Sequence, residues 1–313
     1  MHELPKRVRI VEVGPRDGLQ NEPSPVSATV KAELIERLID AGVRYVEAAS
    51  FVSPKWVPQM ADGAQVLERV LPSARRTGTT LAALVPNLKG LEAALAAHAD
   101  EVAVFAAASE SFSQKNINCS IDESIARFEP VIGAAREAGV RVRGYVSCVL
   151  GCPFEGEIAP EAVARVAKRL YDLGCYEISL GDTIGAGTPL KTQAMLDACA
   201  AQVPLQALAG HFHDTWGMGA ANVLAALQRG VATFDSSVSG IGGCPYSPGA
   251  TGNVATEDIV YLCEGMGMTT GIDLDKLADA GAFISAALGR ATSSRVARAL
   301  EGKRQRESAA RKV

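Results

Sequence analysis

Short β-rich runs alternate with amphipathic, Ala/Leu-rich stretches along almost the whole chain, and this constrains the fold more than any single motif. The strand candidates are RVRIVEV (7–13), YVEAASF (45–51), TLAALVP (80–86), EVAVFAA (101–107), RVRGYVSCV (141–149), YEISLGD (176–182), LQALAGHFHD (205–214) and TFDSSVSG (233–240). Helix candidates between and after them cover 27–42, 89–98, 120–139, 160–174, 189–200, 219–230 and 253–267, and one more covers 273–289. Several close on glycine (Gly42, Gly139, Gly174, Gly230), which enters the left-handed C′ conformation without a Cβ penalty. Ser120 and Glu123 have capping-box spacing, and Pro160 and Pro189 suit first-turn positions. Eight β-then-α units predict the α/β class and a closed (β/α)8 TIM barrel with extra C-terminal helices. A doubly wound open sheet would show a Gly-rich phosphate turn after its first strand, whereas the turn here reads GPRDGLQNE, with no GxGxxG. Residues 1–300 read as one barrel with an added C-terminal helix. The tail EGKRQRESAARKV (301–313) reads as a charged, mobile, solvated end rather than a partner-binding element.

Composition removes several function classes. The 313 residues are 48% hydrophobic and 21% charged, enough for a filled core. The net charge of −4 argues against a nucleic-acid surface, which needs clustered excess Lys and Arg. No apolar run reaches the roughly 20 residues that span a bilayer. The first residues, MHELPKRVRIVEV, hold no apolar signal core. Seven cysteines with no CxxC pair fit a reducing cytoplasm better than a disulfide framework.

Barrel enzymes do their chemistry at the C-terminal ends of the strands. Arg16 and Asp17 follow the first strand, Glu47 interrupts the apolar second, Asp182 ends the sixth, and His211 and His213 end the seventh. After the eighth comes GIGGCPYSPGATGN, with Cys244 and Asn253. Each has a plain local reading: Asp17 and Asp182 as turn or cap residues, Glu47 as an arginine's partner, Asn253 as the N-cap of the eighth helix, Cys244 as a small buried side chain. Their convergence on one face favours a site. The pair in HFHDTWG is the sharpest element. In a helix the two imidazoles would point roughly 200° apart. In a strand His211 and His213 share a side, opposite Leu208 and Phe212. Two histidines at the barrel mouth, with a carboxylate from the first strand, make a plausible divalent-metal site.

The stretches VEVGPRDGLQNE (11–22), VEAASFVSPKWVPQM (46–60), SQKNINCSIDES (113–124), SLGDTIGAGTP (179–189), GHFHDTWGMGAANV (210–223) and SVSGIGGCPYSPGATGNVATED (237–258) closely resemble the 3-hydroxy-3-methylglutaryl-CoA lyase family, over roughly 7–290. The Arg-Asp turn and HxH strand belong to the wider superfamily of metal-dependent barrel lyases and Claisen-type synthases. The SVxGxGGCPY stretch is specific to the lyases, with Ile241 where Leu is usual. The resemblance implies one Mg2+ or Mn2+ held by Asp17, His211, His213 and Asn253, although imidazole ligands suit Zn2+, Fe2+ or Mn2+ better than Mg2+. It implies that Arg16 binds the substrate carbonyl, that Cys244 is catalytic on a mobile loop, and that Glu47 and Asp182 are active-site acids. It also implies an acyl-CoA substrate, no membrane or nucleic-acid partner, and a homodimer.

The implied reaction is retro-Claisen cleavage of 3-hydroxy-3-methylglutaryl-CoA, a step of leucine degradation and ketone-body formation. Asp182 and His211 are the candidates for the base that takes the hydroxyl proton, with Asp182 ahead because an imidazole holding a metal has only one nitrogen left. The alternatives are a lyase for a longer-chain 3-hydroxyglutaryl-CoA analogue, a Claisen-type synthase, and a non-catalytic metal-binding scaffold.

Overall fold

The computed structural model describes residues 3–243 and 252–310. Eight parallel strands close into a barrel in chain order. They are β1 (Arg9–Glu12), β2 (Tyr45–Ser50), β3 (Thr80–Leu84), β4 (Glu101–Ala107), β5 (Arg141–Ser147), β6 (Glu177–Asp182), β7 (Leu208–Phe212) and β8 (Thr233–Ser236). β1 pairs with β2 on one side and, through Arg9↔Thr233 to Glu12↔Ser236, with β8 on the other. The expected (β/α)8 barrel is the observed fold.

The helices are α1 (Ala28–Asp40), α2 (Gly63–Thr77), α3 (Leu88–Ala96), α4 (Glu110–Ile117), α5 (Ile121–Glu137), α6 (Pro160–Leu173), α7 (Pro189–Ala200), α8 (Gly219–Leu227), α9 (Thr256–Gly265), α10 (Leu274–Leu288) and α11 (Arg295–Ala310). Their ends follow local chemistry. Ser27 caps α1, and Ser120 and Glu123 form the anticipated capping box on α5. Pro160 and Pro189 open α6 and α7, and Gly42, Gly139, Gly174 and Gly230 all take positive φ. α2 and α4 were not among the anticipated helices. Pro72 interrupts the α2 pattern, yet Val66, Leu67, Val70 and Ala74 still bury one face, so packing overrides propensity. The boundary placed at 300 falls inside α11. Arg304 holds this helix to Asp275 Oδ1 (2.8 Å) and Asp279 Oδ1 (2.5 Å) of α10.

Strand parity divides the core. Outward residues such as Val46, Leu81, Val102, Ile178, Leu180 and Phe212 join the cluster packed under the helices. Inward positions include a buried polar set: Glu47, Glu101, Arg143, Tyr145, Glu177, Ser179, His211 and Asp235. A barrel filled with paired charge is a costly way to build a core. This ladder leads up to the mouth.

Candidate metal centre and active site

β1 runs into GPRDG, a single π-helical turn over Gly14–Gly18. Such turns recur at functional sites. Gly18 is required by close packing: a Cβ there would stand 2.7 Å from Ile241 Cγ1. The turn sets Arg16 and Asp17 over the barrel. Arg16 Nη1 donates to Asp17 Oδ1 (2.8 Å), and its Nε donates to Glu47 of β2. The other Glu47 oxygen accepts from the Tyr145 hydroxyl of β5. Burial disfavours the Arg16 charge, but Glu47 and then Asp17 outweigh it and hold the guanidinium firmly protonated.

His211 lies in β7, and His213 just past its end. Leu205–Ala207, expected as strand, form a 3-10 turn instead. His213 keeps the strand's parity because it bridges to Asn253, supported by Val254 N–H to the Phe212 carbonyl (2.9 Å) and Asp214 N–H to the Gly252 carbonyl (3.2 Å). Asn253 is therefore not the N-cap of α9, which starts at Thr256 after Ala255. Main-chain pairing to the end of β7 places it at the site instead. The Gly242 main chain passes so near that a Cβ there would stand 2.9 Å from Asn253 Nδ2.

The donors meet at one point. His211 Nε2 and His213 Nε2 are 3.3 Å apart, and Asp17 Oδ2 is 4.0 Å from His211 Nε2. One ligand atom from each of Asp17, His211 and His213 lies within 4.8 Å of the others. Asn253 Nδ2 donates to Asp17 Oδ2 (2.9 Å), while its buried Oδ1 has no partner. Rotating that amide exchanges O for N and turns the oxygen toward Asp17, favourable only with a cation between them. Two adjacent ligands bound at about 2.1 Å to one octahedral ion stand about 3 Å apart, close to the histidine spacing. The set fits a divalent ion.

The protonation of His213 and Asp17 agrees with that reading. Burial, and next the neighbouring His211, push His213 down to about 4, leaving it neutral with a lone pair to offer. Burial alone would raise Asp17, but Arg16 and then the two histidines hold its carboxyl below the usual range. His211 Nδ1 lies 3.0 Å from Asp235 Oδ2. Burial lowers its proton affinity, but that hydrogen bond and charge raise it above the ordinary value.

Asp182 closes β6 with its carboxylate turned onto the loop that follows. It pairs in register with Phe212, on the outward side of β6, whereas Gly181 pairs with His211. Its oxygens accept from Gly187 N–H (2.8 Å) and Ala186 N–H (3.2 Å) of its own turn. Burial raises it to about 6 despite those bonds. Cys244 lies outside the described residues. Asp235, Arg143 and Tyr145 were missed in the sequence because they sit mid-strand rather than at strand ends. The visible signal was charge in the middle of apolar strands: Arg143 in RVRGYVS, Asp235 in TFDS.

A cavity of about 1130 Å³ opens above the centre. Arg16, Asp17, His211 and His213 form its floor. Leu84, Phe105 and Phe112 supply an apolar wall, and Lys89, Lys115 and Arg127 a cationic rim.

Such a centre, beneath a cavity at the C-terminal end of a (β/α)8 barrel, defines a class of enzymes that work with a divalent cation at the mouth. The HMGL-like family model matches residues 7–284, and the chain belongs to that family. It is 63% identical over 300 residues to the hydroxymethylglutaryl-CoA lyase of Pseudomonas mevalonii, covering 96% of this chain and 99% of the relative. Over 300 residues it is 58% identical to the 3-hydroxy-3-isohexenylglutaryl-CoA/hydroxy-methylglutaryl-CoA lyase of Pseudomonas aeruginosa, with the same coverage of 96% and 99%. The crystal structure of hydroxymethylglutaryl-CoA lyase from Pseudomonas aeruginosa superposes with a TM-score of 0.92 at 58% identity, covering 96% of this chain and 99% of that one.

Proposed function

We propose that this chain is a carbon–carbon lyase cleaving 3-hydroxy-3-methylglutaryl-CoA to acetyl-CoA and acetoacetate. The observation that carries the reading is the Arg16–Asp17 turn. Adjacent residues offer a candidate metal ligand and a fixed cation, so a substrate carbonyl beside Arg16 would lie next to an ion held by Asp17.

The reaction breaks the C2–C3 bond. The C3 hydroxyl passes its proton to a base, for which Asp182, raised to about 6, and His211 are the candidates, and becomes the ketone of acetoacetate; the bonding pair passes to the thioester as an enolate. The enolate carbon then takes a proton. Asp17, His211, His213 and Asn253 would hold Mg2+ or Mn2+, which when bound would supply Lewis acidity to the substrate oxygens. Arg16, locked by Glu47, offers fixed positive charge where the thioester oxygen becomes anionic. Cys244 supplies the proton for the enolate carbon, since a free thiol of pKa about 8.5 is mostly protonated near neutrality. His211 acts as a ligand, its Nδ1 committed to Asp235. Asp182 supports the turn after β6 by accepting its amide hydrogens. The direct test is an assay of purified protein with the substrate after chelation, with and without added Mg2+ or Mn2+. Metal-restored acetoacetate formation is expected, and none under any metal condition sinks the proposal.

A second reading, cleavage of analogues with a longer branch at C3, has a specific support. The relative from Pseudomonas aeruginosa is named for an isohexenyl substrate as well, and Leu84, Phe105 and Phe112 give the cavity an apolar wall. A higher kcat/KM for an isohexenyl analogue than for the methyl substrate would move the assignment there.

Two expectations extend the proposal. The working form is a homodimer, and exposed Leu190, Trp216 and Tyr261 are apolar side chains that a subunit contact would cover. The compartment is a reducing cytoplasm, in keeping with six cysteines among the described residues that are all buried. No helix among those residues is long and apolar enough to cross a membrane.

A further inference from the structure

We propose that Arg143 and Asp235, buried in the middle of the barrel, are positioning residues that orient the metal-binding face of His211. The inference rests on the metal centre proposed above.

Asp235 lies on β8 beside His211 of β7 in the strand register. Its Oδ2 meets His211 Nδ1 at 3.0 Å and accepts from Ser179 Oγ at 2.7 Å. An ionised carboxylate only accepts hydrogen bonds. It therefore holds a proton on His211 Nδ1, so that Nε2 is the nitrogen turned to His213 and Asp17. Asp235 stays ionised despite complete burial because Arg143 grips it with two bonds, Nη1 to Oδ2 (3.0 Å) and Nη2 to Oδ1 (2.7 Å).

Arg143 reaches further. Its Nε donates to Glu177 Oε1 (2.8 Å), and its Nη1 also donates to the Tyr145 hydroxyl (3.0 Å). That hydroxyl donates onward to Glu47, which holds Arg16. One guanidinium thus joins the support of the metal ligand to the support of the carbonyl-binding arginine. Only a planar fork with several fixed donors can make these bonds together, so lysine is no equivalent. A structural role alone would require only neutralised charge. This arrangement also fixes a tautomer and a direction, and outer partners of metal-bound histidines commonly set affinity by 10–100-fold.

The test reads metal binding without substrate. Mn2+ is titrated into chelator-treated wild-type protein, Asp235→Asn and Arg143→Lys, with free Mn2+ followed by electron paramagnetic resonance and folding checked by circular dichroism. Folded variants are expected to bind Mn2+ about 10–100-fold more weakly and to give an altered visible spectrum with Co2+. Wild-type affinity and spectrum in folded Asp235→Asn or Arg143→Lys overturn the inference. Where neither variant folds, Ser179→Ala removes one bond to Asp235 with no change of charge. It is expected to weaken Mn2+ several-fold, and unchanged binding overturns the inference. A wild-type chain that binds no Mn2+ overturns the metal centre itself, and the inference with it.

Discussion

His211 and His213 present their Nε2 atoms to each other at 3.3 Å, although one lies inside β7 and the other beyond its end. At most one hydrogen can lie between two such nitrogens, and the buried Asn253 Oδ1 beside them has no donor. A divalent cation would take both nitrogens as ligands and, with the amide turned, give that oxygen a partner. Replacing His213 with alanine removes one ligand and leaves the strand intact. Mn2+ affinity is expected to fall at least about tenfold, with acetoacetate formation falling in step at limiting metal. Isothermal titration checks this, and wild-type binding by His213→Ala would remove it from the ligand set.

Arg16 is held from two sides, by Glu47 at Nε and by Asp17 at Nη1. Lysine keeps a charge but cannot span both partners. Arg16→Lys is therefore expected to lower kcat by about 10²–10³, the usual loss of a preorganised donor to a developing oxyanion, with a smaller change in KM. Steady-state kinetics at saturating metal decide it. Turnover within twofold of wild type would mean that Arg16 does not bear on the enolate.

Strand alternation makes the barrel legible in the sequence, and parity applied to HFHDTWG places both imidazoles inward. The same parity applied to SLGD would have turned Asp182 outward with Ile178 and Leu180, as observed. Attention to strand ends hid this, because it locates a residue along the axis and not around the strand. Asn253 was locally ambiguous: a polar residue before a helix resembles a cap, and only pairing of residues 252–254 with the end of β7 brings it to the centre. The Arg143 network was least visible. Its members come from separate strands, and nothing local to one strand says which carboxylate an arginine will meet.

Cys244 follows Gly242 and Gly243 in the GIGGCPY stretch. As the proton donor to the enolate, it should affect turnover rather than binding. Cys244→Ser substitutes a hydroxyl, a far weaker acid. We expect kcat to fall by about 10²-fold or more, in the range of lost general-acid catalysis, with substrate affinity mostly kept. Rapid-mixing kinetics with an equilibrium binding measurement separate the two, and unchanged turnover would take Cys244 out of the mechanism.

Glu257 provides a pH test away from the centre. Burial pushes its carboxyl up to about 8, against the Ser239 N–H that both oxygens accept at 3.0 Å; the nearby Glu12 adds to the rise. Its folded proton affinity exceeds the unfolded value of 4.5. Below that value both states are protonated and the contribution to stability is complete. As pH rises toward 8, the unfolded chain ionises first, and stability is lost at up to about 1.4 kcal/mol per pH unit. Above 8 the loss levels off, because the folded carboxyl ionises too. Glu257→Gln is neutral throughout and escapes this slope. Thermal unfolding of chelator-treated wild-type and variant protein from pH 5 to 9 should show the variant gaining on wild type as pH rises to about 8, then a constant gap. Parallel curves across the range would mean that Glu257 is already ionised in the folded barrel.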